Sequence, residues 1–166
     1  MKHLYIFFFW VVSISAVSAQ TAEALPRYRK DFRLPDFTIQ QTDSSFFSKA
    51  QLPKCDYTVI VYFAPDCNHC QYEATEIVKN MDSLKNVFFV FAAYRPLDEI
   101  KAFAEKYGLN TFPNIRTGRD PQYYIPAFFE VKFTPFVAVY DRQWMFVKAY
   151  EKGVEASELI ALTHKN

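Results

Sequence analysis

The chain has 166 residues, 51% of them apolar and 22% charged, which is the composition of a single globular domain. Lysine and arginine number 19 against 18 acidic residues, a balance that excludes a polyphosphate-binding surface, and only 3 glycines exclude collagen-like or glycine-rich low-complexity sequence. With 3 cysteines the chain is no disulfide-stapled miniature scaffold.

Lys2 precedes an unbroken apolar run from Leu4 to Val12, and small residues follow as far as Ala19. A short apolar core between a positive start and small residues predicts a secretory signal peptide. The preferred cleavage site follows Ala19, and Ala22-Glu23-Ala24 is a second one. The run falls short of the roughly 20 apolar residues a spanning helix needs, so no stable membrane span is expected once it is removed. An uncleaved anchor is the alternative. No cysteine follows the apolar core, which argues against a lipoprotein anchor. Cleavage removes Lys2 and no acid, so the mature chain is neutral and nothing electrostatic steers it to nucleic acid. The expected organisation is a signal peptide over 1–19, a flexible tether over 20–33 and one folded domain over 34–166.

Along the mature chain, Leu34 to Ile39 alternates and predicts a short strand, with Ser45-Phe46-Phe47 pairing to it as a hairpin. Thr58 to Phe63 is β-branched and aromatic, bounded by Asp56 and Pro65, and predicts a buried central strand. From Asn68 to Leu84, Cys70, Ala74, Ile77, Val78 and Met81 repeat on one helical face. Val87 to Ala93 predicts a second buried strand. Leu97 to Tyr107 predicts a helix capped by Gly108. Asn114 to Arg116 reads as a short strand and Pro121 to Val131 as a short helix. Phe136 to Tyr140 and Met145 to Ala149 read as a hairpin, and Glu155 to Thr163 as a closing helix. Alternating strands and helices predict an α/β layer fold, and the closing hairpin makes that sheet mixed, with an antiparallel edge.

The informative segment is Phe63-Ala64-Pro65-Asp66-Cys67-Asn68-His69-Cys70. A Cys-x-x-Cys here leaves a buried strand and opens a helix. The first sulfur then sits beside unpaired backbone N–H groups and the positive end of the helix dipole, which favour thiolate. Cys67 is therefore the candidate nucleophile. Cys70, one turn in, is the candidate resolving thiol. A protonated His69 between them would stabilise the thiolate further and make the disulfide more oxidising. Asp66 would oppose that if its charge lay close. Zinc would need about four ligands, and the only other cysteine and histidines of the mature chain are Cys55, His69 and His164. A c-type haem motif needs His where Gln71 stands. A purely structural disulfide closing so short a loop gains little. Redox chemistry without a metal or other cofactor is the expectation.

These segments resemble the thioredoxin superfamily, and within it the TlpA/ResA-like branch of exported thiol–disulfide oxidoreductases. Leu34-Pro35-Asp36-Phe37-Thr38-Ile39 is similar to the branch's A-P-D-F-x-L opening. Tyr62 to Glu73 resembles its F-W-A-x-W-C-x-P-C-x-x-E, and Phe103 to Leu109 its F-x-x-K-Y-G-L. The segment from there to Thr134-Pro135 resembles the branch's strand–helix insertion. Phe133-Thr134-Pro135-Phe136 matches the superfamily's Thr-Pro bond. The resemblance implies a thioredoxin-like mixed sheet flanked by helices, with Cys67 and Cys70 as the redox pair. It also implies a cis-Pro135 facing them, a Thr134 backbone that pairs with extended substrate, and a Glu73 that takes part in proton transfer. On the residues alone, Pro135 would be an ordinary strand-start proline and Glu73 a solvated helix carboxylate. The sequence departs from the pattern at Phe63 and Asp66, where the branch has tryptophan, and at His69, where it has proline. Val61 replaces the acid that plain thioredoxins bury.

The implied function is reduction of client-protein disulfides in an exported compartment, a bacterial periplasm, recharged by an upstream thiol–disulfide electron donor. Two alternatives stay open: an oxidant or isomerase of the same fold, and a non-catalytic module holding a protein partner or Cu(I) through Cys67, Cys70 and Cys55. A peroxiredoxin is excluded, because Ala64 and Ile60 stand where its Thr and Pro belong. Cys55 otherwise reads as a small buried hydrophobe. Of Tyr123, Tyr124, Phe128, Phe129 and Phe133, most read as core and one or two as the lining of an apolar groove for clients.

Overall fold

A computed structural model describes residues 25–164. The apolar leader expected over 1–19 lies outside them. Seven strands form one mixed sheet: β1 (Thr38–Gln41), β2 (Phe46–Ser48), β3 (Tyr57–Tyr62), β4 (Val87–Ala93), β5 (Ile115–Arg119), β6 (Phe136–Asp141) and β7 (Phe146–Tyr150). Their order is β2-β1-β5-β4-β3-β6-β7. The central β3, β4 and β5 run parallel, and both flanks are antiparallel. Four helices complete the domain: α1 (Asn68–Lys79), α2 (Leu97–Lys106), α3 (Tyr124–Phe129) and α4 (Ala156–Thr163).

A strand buried on both faces needs apolar residues at every position, and β4 is buried throughout. Phe89, Phe91 and Ala93 meet one face, where Val59, Val61 and Phe63 of the β3 segment pack on Ala74 and Ile77 of α1, Ile100 and Phe103 of α2, and Leu159 of α4. Phe88, Val90 and Ala92 meet the other, with Ile60, Tyr62, Ile125, Phe128 and Phe129. Burying each such side chain contributes about 1.5–3 kcal/mol.

Four expectations shift, the first being the strand read over 34–39, which forms as β1 only from Thr38 on. The helix read over 68–84 breaks at Asn80, whose side-chain amide donates to the Glu76 carbonyl (2.8 Å), and Met81–Leu84 continues as a 3-10 turn. The 114–116 strand extends to Arg119, and the 121–131 helix contracts to α3, bracketed by Tyr123 and Glu130 in left-handed conformations. Gly108 is left-handed (φ 69°), as its capping role requires.

The described part of the 20–33 segment lies against the domain. Residues 27–29 form a 3-10 turn, and Tyr28 is 1% exposed. Its ring lies 5.6 Å from Phe129 and 5.3 Å from Phe146. The Phe146 N–H donates to Phe32 O (2.6 Å) and the Leu34 N–H to Trp144 O (2.8 Å), so the segment also pairs with the chain entering β7. A polar composition hid one aromatic anchor, and the free edge of the sheet supplied backbone partners.

Candidate active site

The site stands at the carboxyl ends of the parallel strands, the usual place for one in an open α/β sheet. β3 holds its register one residue past its end through the Phe63 N–H to Ala92 O bond (3.0 Å). The turn Ala64-Pro65-Asp66 then aims the chain into α1, closed by the Cys67 N–H to Ala64 O bond (3.1 Å). Cys67 is the N-cap, with extended backbone (φ −88°, ψ 119°), and its carbonyl accepts the Gln71 N–H (3.0 Å). α1 carries no acid in its first turn, so its positive end is left for the sulfur.

The two thiols are pushed apart. Burial raises Cys67, but hydrogen bonds from the Cys70 and His69 backbone, from the Cys70 thiol and at Thr134 outweigh it and hold Cys67 below the ordinary thiol value. Cys70 is buried, 2% exposed, and burial pushes its thiol up to about 12 against a weaker opposing bond from the Ala64 N–H (3.5 Å). One sulfur is ready to ionise and partly open, and the other is held protonated beneath it.

Thr134-Pro135 is a cis peptide, and the Thr134 carbonyl lies 3.5 Å from Cys67 Sγ. The pairing of Tyr62 with Phe136 in β3 and β6 brings this bond beside the motif. Glu73, one turn beyond Cys70, is 3% exposed, and neither carboxyl oxygen has a hydrogen-bond partner. Burial pushes it up to about 8, with a weak opposing pull from the Val154 amide, which falls short of hydrogen-bond geometry. His69 is exposed at the mouth of a cleft of about 200 Å³ that Glu73, Pro135, Lys152 and Gly153 also line. Asp66 turns toward Arg95 (3.5 Å), itself held by Glu99 (2.7 Å), which partly offsets the negative charge next to Cys67. Val61 is buried in the core that Cys70 joins.

The structure does not bring Cys55 to this site. Cys55 precedes β3 and Cys67 follows it, so the strand separates them by roughly 20 Å. Its sulfur donates to Tyr57 O (3.1 Å) and it packs, half-buried, on the opposite core. Cys55 is therefore no third ligand for a metal on Cys67 and Cys70, and among the described residues no three His, Cys, Asp or Glu side chains cluster to hold an ion. Of the aromatics before Thr134, Phe128 and Phe129 are core, whereas Tyr123 and Phe133 remain exposed. Sequence reasoning missed Arg95 and Gly153. With 3 glycines in the chain, one standing just after the last strand was the available signal for the second.

No family model matches the chain. It is 31% identical over 81 residues to protein disulfide isomerase-like 2-2 of Oryza sativa subsp. japonica, a match spanning 49% of this chain and 21% of that relative. Its structure resembles a secreted Mycobacterium tuberculosis disulfide oxidoreductase homologous to E. coli DsbE, with TM-score 0.63, 24% identity, and 77% and 94% of the two chains covered. It also resembles the peroxidoxin BcpB of the same organism, with TM-score 0.68, 16% identity, and 79% and 93% covered. The chain has a thioredoxin-like fold. That fold carries more than one chemistry, so the activity has to be argued from the site.

Proposed function

We propose that this protein is an exported thiol–disulfide oxidoreductase of the TlpA/ResA-like branch that reduces disulfides in client proteins. The observation that carries the reading is the opposed placement of two thiols at one helix N-terminus, Cys67 lowered and open and Cys70 raised and buried. The Cys67 thiolate attacks one sulfur of a client disulfide. A Cys67–client disulfide forms and the second client sulfur leaves as a thiolate, which takes a proton. Cys70 then loses its proton and attacks Cys67 Sγ, forming the Cys67–Cys70 disulfide and releasing the first client sulfur. The client gains two electrons and the pair loses two, which an upstream dithiol donor restores. An extended client segment pairs with the Thr134 backbone beside cis-Pro135.

Glu73 is the proton acceptor for Cys70. It lies on the same helical face, i to i+3, and its value of about 8 lies between neutrality and that of the buried thiol. Resolution of the mixed disulfide then accelerates as pH rises through about 8. His69 tunes the Cys67 thiolate from the cleft mouth. Export is supported by the apolar leader and by the secreted protein with the same fold, and the periplasm is the compartment proposed. Among the described residues no helix is long and apolar enough to cross a membrane.

The decisive measurement is the reduction potential of the pair, by equilibration in glutathione buffers with alkylation and mass readout. A value near about −270 mV is expected for a reductase. A value of about −120 to −180 mV would reassign the protein as an oxidant or isomerase, with His69 the cause to test. Failure to form the intramolecular disulfide would leave a thiol-based binding module.

A further inference from the structure

The cleft beside the redox pair is floored by a carboxyl that nothing bonds, and the turn after β7 covers it. Gly153 lies in that turn with φ 85°. A Cβ placed there would stand 2.7 Å from Glu73 Oε2 and 2.9 Å from Pro135 Cγ, nearer than the 3.0 Å below which real Cβ atoms essentially never go. The positive φ alone would admit Asn or Asp. The space admits neither unless the Glu73 carboxyl end moves away, because the Pro135 ring stands fixed on the other side.

We propose that Gly153 is the positioning residue of the proton pathway: by carrying no side chain it lets the 151–154 turn seal Glu73 and Pro135 from water, and so sets when Glu73 can take the proton of Cys70. The inference rests on Glu73 being that proton's acceptor, as argued above.

Other groups could govern Glu73 instead, and their placement weighs against it. His69 and Tyr72 line the cleft from α1, and Lys152, Glu155 and Glu158 from the turn and α4. Glu155 acts in the same direction as burial but more weakly, and accepts from the Tyr72 hydroxyl (3.2 Å). Glu158 is engaged by Lys148 (2.7 Å). His69 and Lys152 are exposed at the mouth, where water screens them. What is left to hold Glu73 neutral is its dry covering, and Gly153 is the point where that covering touches it.

The test is the pH profile for resolution of a mixed disulfide on Cys67, measured in wild type, Gly153→Ala, Glu73→Gln and the double variant. G153A is expected to move the inflection down by about one pH unit or more as water reaches Glu73. Combined with E73Q, it is expected to change the profile no further. If G153A lowers thermal stability but leaves the inflection in place, Gly153 is only structural and the inference is overturned. If E73Q alone leaves the wild-type profile intact, the role given to Glu73 falls first and takes this inference with it. Should G153A fail to fold, the titration of Glu73 is read in wild type as the difference in carboxyl infrared absorption from E73Q. A midpoint near 8 supports a sealed carboxyl, and one near the ordinary 4.5 overturns the inference.

Discussion

Cys67 and Cys70 share one turn of helix and differ in what their sulfurs touch. Cys67 Sγ meets backbone N–H groups at a helix start, and Cys70 Sγ sits in the core with Val61 and Phe63. At pH 7, brief treatment of the reduced protein with iodoacetamide should label Cys67 well ahead of Cys70, read by peptide mass, and Cys67→Ser should abolish insulin-disulfide reduction. Glu73 carries the second residue-scale prediction. Its folded value, about 8, stands above the ordinary 4.5, so the folded state holds a proton that the unfolded state releases between those values. The stability this group contributes is full below about 4.5 and is lost as pH rises through about 8. E73Q keeps the shape and removes the charge. It should be more stable than wild type by roughly 1–3 kcal/mol at pH 8, with the gap closing near pH 4.5, as measured by urea unfolding at both values. Equal gaps at the two pH values would contradict the buried-acid reading.

At the scale of elements, short-range pattern made the site legible. A β-branched run, a cysteine pair and a 3.6-residue apolar repeat are local signals, and the strand, the helix and its N-terminal thiol stand where those signals put them. Glu73 was less legible, because a carboxylate one turn past Cys70 normally faces water. Its burial comes from the 151–154 turn, some 80 residues further on, which no local pattern announces. Tyr28 shows the same limit. Its flanks Arg27, Arg29 and Lys30 read as solvated chain, and the partners that bury it, Phe129, Phe136 and Phe146, come from three distant elements. A docked segment and a tether respond differently to truncation. Tyr28→Ala should lower stability by about 3–5 kcal/mol in chemical denaturation while leaving Cys67 reactivity unchanged. A loss below about 0.5 kcal/mol would mean that the segment is a tether after all.

Across the whole molecule, the central strand sets the distances between cysteines. β3 delivers Cys67 at its carboxyl end, beside the Thr134-Pro135 bond that β6 brings back, and leaves Cys55 at its amino end. Parallel pairing with β4 and antiparallel pairing with β6 hold β3 on both sides over its full length, so the two ends cannot approach without dismantling the sheet. A cysteine bridge needs Cα atoms within about 7 Å, well under the span of the strand. Oxidised protein should therefore hold the Cys67–Cys70 disulfide and one free thiol at Cys55. That thiol is half-buried and donates to Tyr57 O, so it should label slowly when folded and fully in denaturant. Cys55→Ala should leave the potential of the pair unchanged and reduce stability by about 1 kcal/mol, the value of one modest buried hydrogen bond. Non-reducing peptide mapping gives the direct answer. A Cys55–Cys67 or Cys55–Cys70 peptide from folded, monomeric protein would require β3 to be paired differently from the sheet described here.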